Sequence, residues 1–313
     1  MQDGRSTQEQ IISLQLLKDE GRLVGEFKDI PNEVYHDPSC PALSRSAILM
    51  ARKSLATYKA YKNGLRKEPT PALEFGSMFH EFILEPEVFN SKFIAPFSEP
   101  RPEGNATKLE KNGGCKEAYQ AWKGRHADYI LDNGGKSEVS EKEWKLLHGM
   151  KESLMQIEIV RVLLTDKDTQ FENTYFFTHP KTGQLMKIRP DIINTRLRIM
   201  VDLKSCIDAS ENGFGKFMAN TFADVQGAMY LDGAEALFGE SWTFGFIAVE
   251  KAEPYLVGLH SLSESDREVG EKIFLEGANA IKGIKSLDEI KNCYSERFSD
   301  CSLPAWAYTT DYR

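Results

Sequence analysis

The chain has 313 residues, 41% of them hydrophobic and 27% charged, with a formal net charge of −8. That length holds one large domain or two small ones, with the residue usage of a soluble globular protein. The acidic balance excludes a general nucleic-acid-coating protein, and no apolar run approaches the roughly 20 residues of a membrane span.

The start, Met1-Gln2-Asp3-Gly4-Arg5, is polar and lacks the apolar core of a signal peptide, so a cytoplasmic location is expected. Residues 7–20 carry Ile11, Ile12, Leu14, Leu16 and Leu17 at helical spacing, an N-terminal helical extension within residues 1–25. Ser44 offers an N-cap to a helix over about 47–64, with Ile48, Leu49, Leu55, Tyr58 and Tyr61 as its apolar members. Residues 51–67 include Arg52, Lys53, Lys59, Lys62, Arg66 and Lys67 without an acid. This run is either a solvated helix face or a local surface for phosphates.

Residues 71–85 read as a helix stopped by Pro86, with His80 on the face of Gly76, Ser77, Ile83 and Leu84. His80 is either a core histidine bonded to a carbonyl or a ligand reached over small neighbours. Residues 98–140 change character, with Pro100, Pro102, Gly104, Gly113, Gly114, Gly134 and Gly135 around one helical segment near 117–131. This reads as an insertion or flexible arm of a single domain spanning residues 1–313. Helical spacing returns over 141–165.

A strand is expected over Gln170–Phe177, then a turn at His179-Pro180-Lys181-Thr182-Gly183, then the apolar stretches Lys187–Ile193 and Arg198–Lys204. Together these form a three-strand meander. Alternation puts Asp202 and Lys204 on one face and Leu203 on the other, while Asp191 on the partner strand approaches Asp202. Two carboxylates and an ammonium thus sit in strands that otherwise bury aliphatic residues. Carboxylate oxygens are the ligands Mg²⁺ prefers. A lysine beside the metal either holds a water or, when desolvated, loses its own proton. Glu172 is a third carboxylate for the site or a solvent-face residue of an edge strand. Lys181, Lys187, Arg189, Arg196 and Arg198 add positive charge nearby.

After a loop with Gly213 and Gly215, a helix over 221–238 projects Gln226 and Tyr230 together, onto a DNA backbone or as an ordinary boundary. Strands over 241–250 and 255–260 and a helix over 262–283 follow, then an irregular tail. Cys40, Cys115, Cys206, Cys293 and Cys301 are scattered, which argues against disulfides, a cysteine zinc site or an iron–sulfur cluster. There is no repeat, P-loop or Gly-x-Gly-x-x-Gly, so nothing points to ATP binding.

Arg-Pro-Asp191 and Asp202-Leu-Lys204 resemble the PD-(D/E)xK nuclease signature. The wider set resembles the RecE-like (exonuclease VIII) branch of phages and prophages. That set comprises Tyr35-His36, Ala42-Leu43-Ser44-Arg45-Ser46, Phe75-Gly76-Ser77-Met78-Phe79-His80-Glu81 and Leu84-Glu85-Pro86. It continues with the signature itself, Gln226-Gly-Ala-Met-Tyr230, Val249-Glu250-Lys251 and Leu303-Pro304-Ala305-Trp306. The resemblance implies a mixed α/β restriction-endonuclease-like core, its central sheet flanked by the 71–85 and 221–238 helices. It implies a Mg²⁺-dependent DNA exonuclease, with Mn²⁺ as a possible substitute, bound by Asp191, Asp202 and the Leu203 carbonyl and completed by His80 and Glu172. Lys204 would position the attacking water, with Gln226, Tyr230, Arg189, Ser44 and Lys53 at the DNA. Linear double-stranded ends would be resected 5′ to 3′ for a RecT-like single-strand annealing partner, by a homo-oligomeric ring. A RecB-like structure-specific or end-trimming nuclease and a non-catalytic DNA-binding scaffold are the other classes with this pattern.

Overall fold

The computed structural model describes residues 5–65, 68–102, 113–239, 241–294, 297–298, 300–304 and 308, with side chains in helix 113–132 from residue 116 on. Arg66, Lys67, Ala305, Trp306, the Cys115 side chain and residues 103–112 of the expected arm lie outside the described residues.

Helix α1 (Thr7–Asp19) opens with a capping box between Ser6 and Glu9. It is followed by β1 (Gly25–Phe27) and the short α2 (Asn32–His36). The single helix expected over 47–64 is two, α3 (Arg45–Lys53) and α4 (Leu55–Lys62). Ser54 separates them: its backbone is extended at φ −172° and its hydroxyl accepts the Thr57 N–H to start α4. A serine that can serve as a cap competes with its own helical conformation. Pro86 ends α5 (Pro71–Leu84) and also opens α6 (Pro86–Lys92), at a position where a missing N–H costs nothing. Next come β2 (Phe93–Ile94), α7 (Gly113–Asp132) and β3 (Ser137–Glu138), with β2 and β3 paired in parallel. The 141–165 helix is α8 (Glu141–Gln156) and α9 (Glu158–Thr165), broken where Ile157 adopts ψ 116°.

The expected meander is divided between two sheets. β4 (Thr169–Phe171) and β5 (Thr174–Thr178) are separated by Glu172, which has a left-handed φ of 53°. β6 (Leu185–Ile188) and β7 (Ile192–Asn194) are separated by Arg189-Pro190-Asp191, and proline cannot donate to a ladder. Asp191 therefore stands just before a strand, not within one. β8 (Ile199–Cys206) pairs with β7, whereas β5 pairs with β6 on one side and with β1 on the other. The expected loop at Gly213 and Gly215 is a helix, α10 (Glu211–Thr221), capped by Ser210. α11 (Ala223–Phe238), β9 (Thr243–Glu250), β10 (Val257–Ser261) and α12 (Glu264–Lys282) stand close to their expected places.

The five-stranded sheet has the order β10-β9-β8-β7-β4, with β8 and β9 parallel and the other pairs antiparallel. Alternation along its strands feeds two cores. Met200, Phe244 and Phe246 pack with Val225 and Met229 of α11, Phe274 of α12 and Ile48 of α3. Val201, Leu203 and Ile247 pack on the opposite face with Phe75 and Phe79 of α5 and Leu147 and Met150 of α8. Strands buried on both faces read as continuous apolar runs, as β9 does. Among the described residues no helix is long and apolar enough to cross a membrane.

Candidate metal centre

The centre forms where the two sheets part. Just beyond the β4–β7 ladder the Glu172 N–H donates to the Asp191 carbonyl (3.3 Å), which holds these residues opposite each other. α5 delivers His80 from the side, its Nε2 2.5 Å from the Leu203 carbonyl. Its other nitrogen, Nδ1, lies 3.5 Å from Asp191 Oδ2 and 3.9 Å from Glu172 Oε1. The contact of Nε2 with the carbonyl turns Nδ1 toward the carboxylates, and in the neutral imidazole, with the proton on Nε2, the Nδ1 lone pair is open to a cation. Ligand atoms of His80, Glu172 and Asp191 all lie within 4.8 Å of one another. One imidazole and two carboxylates fit a divalent cation.

The signature aspartate and lysine sit beside this trio. Asp191 Oδ2 accepts the Leu203 N–H at 2.7 Å. Asp202, 1% exposed, accepts Gln226 Nε2 on Oδ1 at 2.7 Å and has Lys204 Nζ 2.5 Å from Oδ2. That second contact is an ion pair whose direction departs from a well-formed hydrogen bond, leaving Oδ2 buried without an aligned donor. Asp202, expected to share the metal with Asp191, meets an amide and an ammonium here, and the ligand atoms grouped with Asp191 are those of Glu172 and His80. The Leu203 carbonyl accepts from His80.

Charge in this crowded space is strongly coupled. Burial lifts the Asp191 carboxyl to about 7, with Asp202 and Glu172 pushing further up and His80 and Lys204 pulling down. Burial alone would lower the His80 pKa, but the carboxylates of Asp191 and Glu172 override it and raise it to about 9. For Lys204 too, burial is overridden by Asp202 and Asp191, which hold the pKa above its ordinary value. Of the two readings open for this lysine, the charged ammonium is the one its surroundings favour.

Arg189 and Tyr230, expected at DNA, are both buried. Arg189 donates to Thr174 Oγ1 (2.9 Å), Asn32 Oδ1 (2.7 Å) and the Ile30 carbonyl (2.7 Å), and its guanidinium stacks 4.1 Å from the Tyr35 ring centroid. Tyr230 donates to the Arg189 carbonyl at 2.9 Å. Both groups hold the Arg189-Pro190-Asp191 bend, and their polar atoms are taken by protein. Ser44 caps α3 by accepting the Ala47 N–H. Lys53 is exposed at the end of α3. Among the described residues of its basic run, Arg52 pairs with Glu276, Lys59 with the Ile290 carbonyl and Lys62 with the Pro38 carbonyl. Lys181 pairs with Glu271, and Arg196 with Asp166 and Asp168.

Two contributors, Tyr35 and Arg45, stand in the motifs that carry the resemblance but were given no role from sequence. Tyr35 lies between the cations of Lys187 and Arg189. Arg45 bonds the Thr221 and Phe222 carbonyls, securing the left-handed residue (φ 56°) from which α11 departs toward Asp202. The Ser-Arg-Ser segment signals a helix start, but nothing local signals the remote carbonyls.

A mixed sheet with a proline–aspartate bend feeding an Asp-x-Lys strand, flanked by a histidine helix and a glutamine helix, defines the PD-(D/E)xK fold. The chain belongs to the family described as a PDDEXK-like domain of unknown function (DUF3799), which it matches over residues 44–302. A "putative exonuclease" from Eubacterium rectale, known from a crystal structure, has the same fold. It is 14% identical, with a TM-score of 0.52 over 91% of this chain and 99% of that one. The crystal structure of SSO0001 aligns over 66% of this chain and 84% of its own at 12% identity, with a TM-score of 0.26. No curated protein matches the sequence.

Proposed function

We propose that this chain is a Mg²⁺-dependent DNA exonuclease that resects linear double-stranded ends 5′ to 3′, like the RecE-like branch its motifs resemble. The observation that carries this reading is the convergence of His80, Glu172 and Asp191 beside the buried Lys204–Asp202 pair. These three side chains would hold the cation. When bound, it supplies Lewis-acid activation of water and neutralises charge on the phosphate. Two carboxylates suit Mg²⁺, and the imidazole nitrogen makes Mn²⁺ a ready substitute.

The protein groups have separable tasks. His80 is oriented through the Leu203 carbonyl and presents Nδ1. Lys204 positions the attacking water and opposes the negative charge that grows on the phosphate oxygens. Asp202, clamped by Gln226, keeps the ammonium in place. Arg189 and Tyr230 hold the Asp191 bend, and Lys53 remains for the DNA backbone. A homo-oligomeric ring would let a chain of charge −8 hold DNA by enclosure, and the product strand would pass to a RecT-like annealing partner.

Digestion of end-labelled linear duplex against a covalently closed circle, with Mg²⁺ or EDTA, tests the reading. The expected result is metal-dependent loss of the linear DNA alone, abolished by Lys204→Ala. Cleavage of the circle would assign a structure-specific endonuclease of the RecB-like group instead. Binding without cleavage of either would assign a scaffold.

A further inference from the structure

The two neighbours of β8 are unequal. β9 runs along its whole length, Ile199–Cys206, whereas β7 covers only Ile199–Val201. Beyond Val201 the first residue whose backbone faces the β7 side is Leu203, and both of its groups are used. Its N–H donates to Asp191 Oδ2 and its carbonyl meets His80 Nε2. Backbone groups of alternate residues point to the same edge, so Ser205 presents its N–H there, where β7 no longer runs. The Cys206 carbonyl points the other way and accepts the N–H of Lys251, just past β9.

The Ser205 side chain adds a half-buried hydroxyl that makes no hydrogen bond among the described residues. α5 leaves it uncovered, because the residue one turn before His80 is Gly76. A Cβ built on Gly76 would stand 3.9 Å from Ser205 Oγ, so a methyl group would fit and would roof the hydroxyl. Glycine inside a helix costs stability relative to alanine. Packing demands it at Gly149 of α8, where an added Cβ would lie 2.2 Å from the Tyr255 ring, but not at Gly76.

Building on the nuclease reading above, we propose that Ser205 binds a phosphate of the DNA strand close to the scissile one. Its hydroxyl and N–H are the donors, and Gly76 is the gap through which the phosphate approaches. Hydroxyls and backbone N–H groups are common partners of DNA phosphates. Ser205 lies two strand residues beyond Leu203, about 6–7 Å past the point where His80 is anchored. Phosphates of one strand advance about 3.4 Å each along the duplex axis, so the contacted group is one or two steps from the cut. Lys204 leaves β8 on the opposite face. A sugar–phosphate strand laid across this edge therefore meets the ammonium from one side and the hydroxyl from the other.

The test is single-turnover cleavage of a linear duplex by the full chain with Mg²⁺. Methylphosphonate replaces one phosphate at a time, at the two positions on each side of the first cut. Ser205→Ala is expected to raise the half-saturating protein concentration about tenfold, the effect of one hydrogen bond to a charged group, with the saturating rate changed less than about twofold. Ser205→Thr is expected to restore it. One methylphosphonate should cost the unaltered protein a similar factor and cost Ser205→Ala little more. Gly76→Ala is expected to raise the urea midpoint and weaken DNA binding together. Gly124→Ala on α7, where nothing lies within 4 Å of the added Cβ, should do only the first. Losses that multiply at every position, a Ser205→Ala that changes only the saturating rate, or a Gly76→Ala that binds DNA as before would overturn the contact and leave the nuclease reading standing. An unaltered protein that cuts no duplex would overturn the nuclease reading, and the contact with it.

Discussion

The Lys204–Asp202 pair makes a quantitative prediction about the protein without metal. Lys204→Met leaves Asp202 (side chain 1% exposed) without the ammonium 2.5 Å from its Oδ2. Breaking a buried pair from one side costs about 3–5 kcal/mol. Asp202→Asn keeps an acceptor for Gln226 but strands the ammonium, whose side chain is 24% exposed and so recovers some hydration. Its cost is put lower, at about 2 kcal/mol, toward the range for an unsatisfied buried group. The double variant removes both charges and is expected to cost about 2–3 kcal/mol, a coupling of at least about 2 kcal/mol. Urea unfolding of the four proteins in EDTA at one pH measures this, with equal m-values required for the comparison. Additivity within about 0.5 kcal/mol would refute the pairing and return Lys204 to solvent.

Metal and protons should compete at the trio. His80 (about 9) and Asp191 (about 7) both bind protons more tightly than their ordinary values of 6.5 and 3.8. Their contribution to metal-free stability is full at low pH and falls as pH rises, across about 4 to 7 for Asp191 and about 6.5 to 9 for His80. Cation affinity must rise over the same range, because binding releases those protons; titration calorimetry in two buffers would count them. Arg189→Met should cost about 1–3 kcal/mol by orphaning the buried Thr174 hydroxyl, with little change in the salt dependence of DNA binding. Lys53→Ala should leave stability unchanged and reduce the salt slope by about 1. A reversal of that contrast in fluorescence-anisotropy titrations would return Arg189 to the DNA. Gln226→Leu should lower single-turnover cleavage about tenfold to a hundredfold with little effect on DNA affinity, since its amide holds Asp202.

The fold class was legible because the apolar periods switch from helical to strand spacing at residue 170, and the signature residues themselves marked the strand that carries Asp202 and Lys204. What stayed hidden was tertiary. Glu172 and Pro190 interrupt stretches whose composition reads as continuous strand, and only pairing with different neighbours sends β5 and β6 into a second sheet. That division is what brings Glu172 opposite Asp191, so the third carboxylate was named from sequence without the reason it converges. Positive charge misled most. Whether a lysine or arginine is available depends on partners far along the chain, as with Arg52 and Glu276, 224 residues apart. Ser54 shows the same limit locally, since a serine in a helical pattern reads as an ordinary polar residue until its hydroxyl is seen to cap the next helix.

The most direct test of the central claim is an anomalous-difference map from crystals of the protein soaked in Mn²⁺. The account predicts a peak bounded by His80 Nδ1 and the carboxylates of Glu172 and Asp191, at roughly 2.0–2.3 Å from its ligands, and its loss in Asp191→Asn. A strong peak elsewhere, or none at this trio in crystals that bind Mn²⁺, would contradict it.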